Sequence, residues 1–152
     1  MSYTCGLVKQ SFQPVLSIRT RTSVDKLPKV LGDAYKLIME YLDEIDEYPA
    51  GAPFTAYYNM DMQDLDVEIG FPVWDALPGK NEIKSSEIQE GRHAVTIHVG
   101  PYNKIESAYN ALKQWIKDKG YTPTGVAYEF YLNDPAQTPE NKLKTRIQLP
   151  LA

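Results

Sequence analysis

The chain has 152 residues, of which 43% are hydrophobic and 24% are charged, with a net charge of −4. This composition is typical of one globular domain, and the chain is long enough to bury a core without disulfides or metals. Its 16 basic residues are scattered, which argues against a direct nucleic-acid partner, and no apolar run is long enough to cross a membrane. The single cysteine, Cys5, and the lack of an apolar signal segment predict a cytoplasmic protein.

The first half of the chain has the pattern strand, helix, strand, strand. Residues 15–18 alternate as a half-buried strand, and apolar residues at three- and four-residue spacing over 27–45 predict an amphipathic helix. Further strands are predicted at 54–59 and at 69–73, where Pro72 marks the strand end.

The second half repeats this order, with strands at 94–97, 126–132 and 147–151 and a helical stripe over 105–116. Ala108 and Tyr109 follow the matching pair in the first helix by 74 positions. Asn103 and Glu106 are spaced as a capping box at the start of this second helix, and Gly120 is placed to end it in a left-handed conformation.

Two such modules predict an α+β fold: a pseudo-twofold tandem repeat with an antiparallel sheet, two main helices on one face and a central ligand cleft. We interpret residues 1–152 as a single domain. Module one covers about 5–74, a linker covers about 75–91, and module two covers about 92–151. A short additional strand is placed within 82–89.

Glu129 is the candidate functional residue that the strand at 126–132 singles out. Alternation places Val126, Tyr128, Phe130 and Leu132 on the face predicted to meet the helices, and Ala127, Glu129, Tyr131 and Asn133 on the opposite face. A desolvated carboxylate costs several kcal/mol unless it is paired or protonated, and an organic cation is a partner that would fit among tyrosine faces. The alternative is that this face is solvated and Glu129 is an ordinary surface residue.

Other aromatic residues are candidates for the same cleft. Either Tyr57 or Tyr58 is expected to face it, and the pattern leaves open which one. Trp74 lies either at the mouth of the cleft or over the core. Tyr102 either points its hydroxyl into the cleft or packs against the start of the helix.

The histidines give no sign of a metal site, and no cofactor is predicted. His93 and His98 lie five residues apart on a predicted strand, which places them on opposite faces, and no second cluster of ligands accompanies them. The chain also lacks a glycine-rich phosphate loop and a nucleophile elbow.

Four segments together resemble the GyrI-like small-molecule-binding family, which includes the effector domains of AraC- and MerR-type multidrug regulators. They are VEIGFPV at 67–73, GPY at 100–102, YEFYLNDP at 128–135 and TRIQLP at 145–150. The resemblance implies eight antiparallel strands with two main helices and an aromatic cleft in which Glu129 pairs with lipophilic cations. Together with the sequence pattern, this makes Glu129, Tyr131, Tyr57, Tyr58, Trp74, Phe71 and Tyr102 the predicted ligand-binding residues.

The two modules use the whole sequence, which leaves no room for a helix-turn-helix, so we expect a stand-alone binder of lipophilic, cationic small molecules. One alternative is a hydrolase of electrophilic, cyclopropane-containing toxins, with Glu129 as general base or orienting a water and Tyr131 as hydrogen-bond donor. A second alternative is a protein partner, as in inhibition of a topoisomerase, although the sequence has no acidic cluster dense enough to mimic DNA.

Overall fold

The computed structural model describes residues 3–152, which form eight strands and two α-helices. In chain order these are β1 (Gly6–Gln10), β2 (Gln13–Thr22), α1 (Leu27–Glu44), β3 (Phe54–Tyr57), β4 (Leu65–Pro72), β5 (Lys84–Ile88), β6 (Gly91–Val99), α2 (Glu106–Asp118), β7 (Ala127–Tyr131) and β8 (Lys144–Pro150). Contacts divide them into a central unit, Ser11–Glu90, and a terminal unit that joins residues 3–10 to Gly91–Ala152. Strands pair antiparallel inside each unit, which confirms the predicted α+β class.

The central unit is a four-stranded sheet with α1 packed on one face. Its strands are ordered β5-β2-β4-β3, with Leu16 opposite Phe71 and Ile18 opposite Ile69. Alternate residues of β2 and β4 are therefore turned toward the helix, where Ile38 and Leu42 are fully buried. The apolar side chains that recur with the 3.6-residue period of α1 pack against those that alternate along the strands, and together they form this core.

The terminal unit has the strand order β1-β6-β8-β7, and α2 buries Ala108, Leu112 and Ile116. We predicted that residues 6–10 belong to module one, but β1 instead pairs with β6, with Gly6 opposite Val95. Strand pairing is set by contacts distant in sequence, so the local pattern of five residues does not identify the partner.

Each unit contains a strand, a helix and two further strands in chain order, with one extra strand at the outer edge. In the central unit β5 pairs with β2, and in the terminal unit β1 pairs with β6. Strand β5 lies inside the segment interpreted as a linker, at Lys84–Ile88. The pseudo-twofold relation of the modules and the central cleft stay predictions.

The helix ends only partly follow the sequence signals. The capping box was wrong: a 3₁₀ turn at Tyr102–Lys104 precedes α2, and Ile105 holds the cap position without a side-chain hydrogen bond. Gly120 does adopt the left-handed conformation, with φ of +79°, two residues after the helix. No helix formed by residues 3–152 is both long and apolar enough to span a bilayer.

Gly70 in β4 leaves no room for a side chain against the neighbouring strand β2. A Cβ atom at this position would lie 2.3 Å from the carbonyl oxygen of Leu16 and 2.8 Å from the Cβ of Ser17. Real Cβ atoms do not come this close to backbone atoms, so a side chain here would force the two strands apart.

We expect Gly70→Ala to lower the free energy of unfolding by about 1–3 kcal/mol, the usual cost of overpacking. The matched control is Gly32→Ala in α1, where an added Cβ meets nothing within 4 Å and should raise stability by about 0.5–1 kcal/mol. Urea denaturation of the wild type and both variants measures these changes. An unfolding midpoint unaffected by Gly70→Ala would contradict the close approach.

Candidate functional site

Glu129 lies in the middle of β7, and its side chain faces α2. The hydroxyl of Tyr109, on α2, donates to its Oε2 atom. We predicted that Glu129 faces away from the helices, and this was wrong. The pattern could not decide the face because both sides of β7 are apolar: Tyr128 and Phe130, on the other side, are only 2% and 3% exposed.

Two phenols hold the Glu129 carboxylate, one at each oxygen. Tyr109 bonds Oε2, and the hydroxyl of Tyr131 donates to Oε1 at 3.0 Å. Tyr109 comes from the helix, and Tyr131 lies two residues along the same strand and therefore on the same face. This confined arrangement fixes the carboxylate in one orientation.

The electrostatic state of Glu129 reflects two opposing influences. Burial raises the pKa of its carboxyl, because a low-dielectric surrounding disfavours the charged form. The hydrogen bonds from Tyr109 and Tyr131, and the imidazole of His98, act in the opposite direction. The net effect is a raised pKa, so Glu129 takes up a proton more readily than an exposed glutamate does.

His98 is a neighbour of this site that the sequence reasoning did not recognise. It lies on β6 and is 2% exposed. Thr145 of β8 pairs with His98 on one side and with Tyr131 on the other, so these three residues share a face. The sequence pattern does not reveal this register, because the register depends on β8 lying between β6 and β7.

Tyr102 completes the aromatic surroundings of Glu129. Its ring meets the ring of Tyr131 edge to face, with centroids 5.8 Å apart, and it remains 38% exposed. Burial, together with the negative charges of Glu129 and Asp134, raises the pKa of the Tyr102 hydroxyl. Of the predicted site residues, Glu129, Tyr131 and Tyr102 therefore lie together, and Tyr109 joins them.

The other four predicted residues lie in the central unit. Phe71 is in its core, 8% exposed and edge-on to the ring of Tyr35, and Trp74 is 70% exposed. Tyr57 packs against the core under α1.

Tyr58, which follows Tyr57, occupies the other face of its sheet. Its hydroxyl donates to the buried carboxylate of Glu68 at 2.5 Å, and the guanidinium of Arg19 lies 3.7 Å above its ring. Tyr57 and Tyr58 thus have different surroundings, and their part in a ligand site stays a prediction.

The central unit contains an uncharged counterpart of the Tyr109–Glu129 contact. Tyr35 on α1 lies 3.2 Å from the hydroxyl oxygen of Thr55 and donates to the carbonyl of Phe54. Thr55 pairs with Ile69 in its sheet as Glu129 pairs with Ile147. The same tyrosine position on the helix therefore meets a threonine in one unit and a carboxylate in the other.

The sequence profile of the GyrI-like small molecule binding domain matches residues 6–152. The chain belongs to the GyrI-like family. This confirms the resemblance seen in the four sequence segments, and it extends over both units. No curated protein matches the chain.

Several solved structures share this GyrI-like fold at low sequence identity. EcmrR, in its complex with DNA, superposes with a TM-score of 0.85 at 24% identity over 98% of this chain, which spans 57% of the EcmrR chain. A hydrolase from Listeria innocua superposes with a TM-score of 0.72 at 16% identity, and the match covers 97% of this chain and 91% of the hydrolase chain. SAV2435 bound to tetraphenylphosphonium superposes with a TM-score of 0.63 at 11% identity, and the match covers 100% of this chain and 94% of the SAV2435 chain.

Because the pKa of Glu129 is raised in the folded state, ionisation of this residue should destabilise the fold. The protonated carboxyl contributes to the free energy of unfolding in acid, and this contribution is lost as pH rises through the raised pKa. A tenfold difference between the ionisation constants of the folded and unfolded states corresponds to about 1.4 kcal/mol of stability. We therefore expect Glu129→Gln to be more stable than the wild type at pH 8 and to lose this advantage toward pH 4.

Urea unfolding of both proteins between pH 4 and pH 8 measures this difference. Glu106→Gln, at an exposed position in the first turn of α2, removes the same charge from the surface and serves as the control. If the wild type instead gained stability relative to Glu129→Gln as pH rises, the phenol donors would outweigh burial, and the assigned direction would be wrong.

Proposed function

We propose that this GyrI-like domain binds lipophilic organic cations and that the carboxylate of Glu129 is their counter-charge. The observation that best supports this proposal is that the Glu129 carboxylate is largely withdrawn from water and lies between two tyrosines. Among the described residues, 3–152, no lysine or arginine forms an ion pair with it. A bound cation would supply the missing charge and offset the cost of desolvation.

The aromatic surroundings favour a lipophilic cation over a small hydrated one. Tyr131 and Tyr102 present rings next to the carboxylate, and cation–π contacts contribute about 0.5–2 kcal/mol each depending on desolvation. A hydrated metal ion would need several oxygen ligands, whereas Glu129 offers one carboxylate already bonded by two phenols. SAV2435 shares the fold and was solved with tetraphenylphosphonium, which makes this cation a suitable probe.

The four aromatic residues of the central unit remain part of the proposal as predicted ligand contacts. Phe71 is the least accessible, because the core of its unit already encloses it. Trp74 is the most accessible, and Tyr57 and Tyr58 are partly exposed. Replacing each by leucine and titrating the variants would separate ligand contacts from core residues.

A hydrolase is the second candidate function. A carboxyl whose pKa is raised by burial is suited to act as a general base near neutral pH, and a tyrosine hydroxyl at 3.0 Å can donate to developing negative charge. Glu129 would take a proton from a water that opens an electrophilic cyclopropane ring. Product formation that disappears in Glu129→Gln would favour this function, and binding without product would favour the first.

Location and partners stay predictions from composition. The single cysteine predicts a cytoplasmic protein, and the scattered basic residues predict no direct contact with nucleic acid. A protein partner remains open.

Titration with tetraphenylphosphonium and with neutral triphenylphosphine oxide, followed by intrinsic Tyr and Trp fluorescence, tests the proposal. We expect the wild type to prefer the cation by about tenfold or more, which is about 1.4 kcal/mol. Glu129→Gln should lose this preference because it keeps the shape of the side chain and removes the charge. Binding that is equal for both compounds, or a preference that persists in Glu129→Gln, would contradict the proposal.

Two controls isolate the role of the buried carboxylate. Glu106→Gln changes net charge at an exposed position and should leave the preference intact. Tyr109→Phe removes one donor to Glu129, whereas Tyr35→Phe removes the corresponding hydroxyl in the central unit. Only the first of this pair is expected to alter cation affinity.

A further inference from the structure

The face of the terminal sheet that is turned away from α2 carries two neighbouring positive charges. Lys144 and Arg146 lie two positions apart on β8, so both side chains project from the same face, about 7 Å apart along the strand. On β6, Ile97 pairs with Arg146 and Val99 pairs with Lys144. Both of these apolar side chains are exposed.

Apolar side chains from the other neighbouring strand border the two charges on the opposite side. Phe130 on β7, which faces away from α2, pairs with Arg146, and the guanidinium lies 4.5 Å from the centre of its ring. Leu132 continues the alternation just beyond β7, donates its amide to the carbonyl of Lys144 and is exposed. A row of two cations therefore lies between two apolar rows. We call this surface the basic apolar face, formed by Ile97, Val99, Phe130, Leu132, Lys144 and Arg146.

The described part of the chain, residues 3–152, supplies no counter-charge to this row. Neither Lys144 nor Arg146 forms an ion pair there. Burial lowers the pKa of the Arg146 guanidinium, and its buried Nε has no hydrogen-bond partner among the same residues. The ring of Phe130 is a weaker partner than a carboxylate would be. Arg146 thus holds a partly desolvated charge that the domain leaves unmatched.

The central unit carries acidic residues at the corresponding strand positions and compensates them. Asp66 and Glu68 lie two positions apart on β4, with Arg21 and Arg19 opposite them on β2. Arg19 donates to both carboxylate oxygens of Asp66 and interacts electrostatically with Glu68. Arg21 lies 3.7 Å from Asp66. The charges of this row are therefore matched by the neighbouring strand of the same sheet.

An asparagine in each unit shows which positions correspond. The side-chain oxygen of Asn133 accepts from the amide of Lys144, and that of Asn59 accepts from the amide of Asp66. Lys144 therefore takes the place of Asp66, and the residues two positions further along each strand correspond as well. Because one unit compensates this row and the other does not, the fold itself does not require an unmatched charge here.

We propose that the basic apolar face binds an amphipathic helix of a partner protein that carries two carboxylates one turn apart in its apolar side. Helix residues four positions apart are separated by about 6 Å along the axis, close to the spacing of Lys144 and Arg146. The carboxylates would supply the missing counter-charge. The flanking apolar residues of the helix would cover Ile97, Val99 and Leu132, as α2 covers the opposite face of the sheet.

Two cations favour a protein partner over an anionic membrane. Polybasic segments that bind membranes use about four to eight basic residues, whereas this face has two, and the net charge of the chain is −4. The face also lies on the side of β7 opposite to Glu129, so the inference goes beyond the proposed ligand site and does not depend on it.

Fluorescence anisotropy with a labelled synthetic peptide and the full-length protein tests the proposal. The peptide has about 18 residues, long enough to form a helix, with leucines along one side and two glutamates four residues apart in the middle of that side. A matched peptide has glutamine at both places. We expect the protein to bind the glutamate peptide about tenfold or more tightly than the glutamine peptide, and this preference to fall as salt is raised.

Substitutions on the two faces of the sheet locate the binding surface. Lys144→Gln and Arg146→Gln should each reduce the preference by about threefold to tenfold, because each removes one of two ion pairs. Lys144 is exposed, so its replacement tests the proposal even if Arg146→Gln disturbs folding. Lys117→Gln removes the same charge at an exposed position of α2 and should change neither affinity. Ile97→Thr should weaken both peptides alike, because it removes an apolar contact.

Failure to bind either peptide, equal affinity for both, or a preference that survives in Lys144→Gln overturns the inference. An equal loss of preference in Lys117→Gln would indicate unspecific attraction between charges and overturns it as well. Sedimentation with phosphatidylglycerol vesicles separates the membrane alternative. Vesicle binding that is lost in Lys144→Gln, in a protein that does not distinguish the peptides, would overturn the helix and assign this face to a lipid surface.

Discussion

The terminal unit is organised around a carboxyl group that is largely withdrawn from water and is held by hydrogen bonds from the protein. Glu129 receives one hydrogen bond from α2 and one from its own strand, and it interacts with a histidine on β6. The helix and two strands thus converge on one side chain. Because an uncompensated charge in such a place costs several kcal/mol, the positions of these elements relative to each other are tied to this residue.

The central unit shows that the fold itself does not need this charge. There the helix tyrosine, Tyr35, bonds a backbone carbonyl and contacts Thr55, which requires no counter-charge. The same local arrangement is therefore achieved at lower electrostatic cost with a threonine. A chain that keeps a glutamate at the corresponding place in its other unit carries a local conflict with stability, and such conflicts are concentrated at functional sites.

Local periodicity was sufficient to predict most of the elements and to single out Glu129 as a candidate. The apolar stripe over 27–45 became α1 at Leu27–Glu44, and the stripe over 105–116 became α2 at Glu106–Asp118. Both are set by contacts within a few residues in the chain. What the sequence could not supply was non-local: the partner of β1, the face of β7 that meets the helix, and the position of His98 beside Thr145. The capping box failed because a 3₁₀ turn displaced the start of α2.

The charge of the Glu129 site cannot be derived from the glutamate alone. A buried carboxyl can become neutral in two ways: by taking up a proton itself or by facing a positive charge that the protein provides. The first leaves a hydrogen-bond donor that suits a neutral ligand, and the second leaves a negative charge that suits a cation. The phenols of Tyr109 and Tyr131 bond either form of Glu129, since a hydroxyl both donates and accepts. The balance between the two forms depends on all the surroundings of Glu129: burial disfavours the charged carboxylate, whereas the two phenols and His98 favour it. The charge that Glu129 presents is therefore a property of the whole terminal unit.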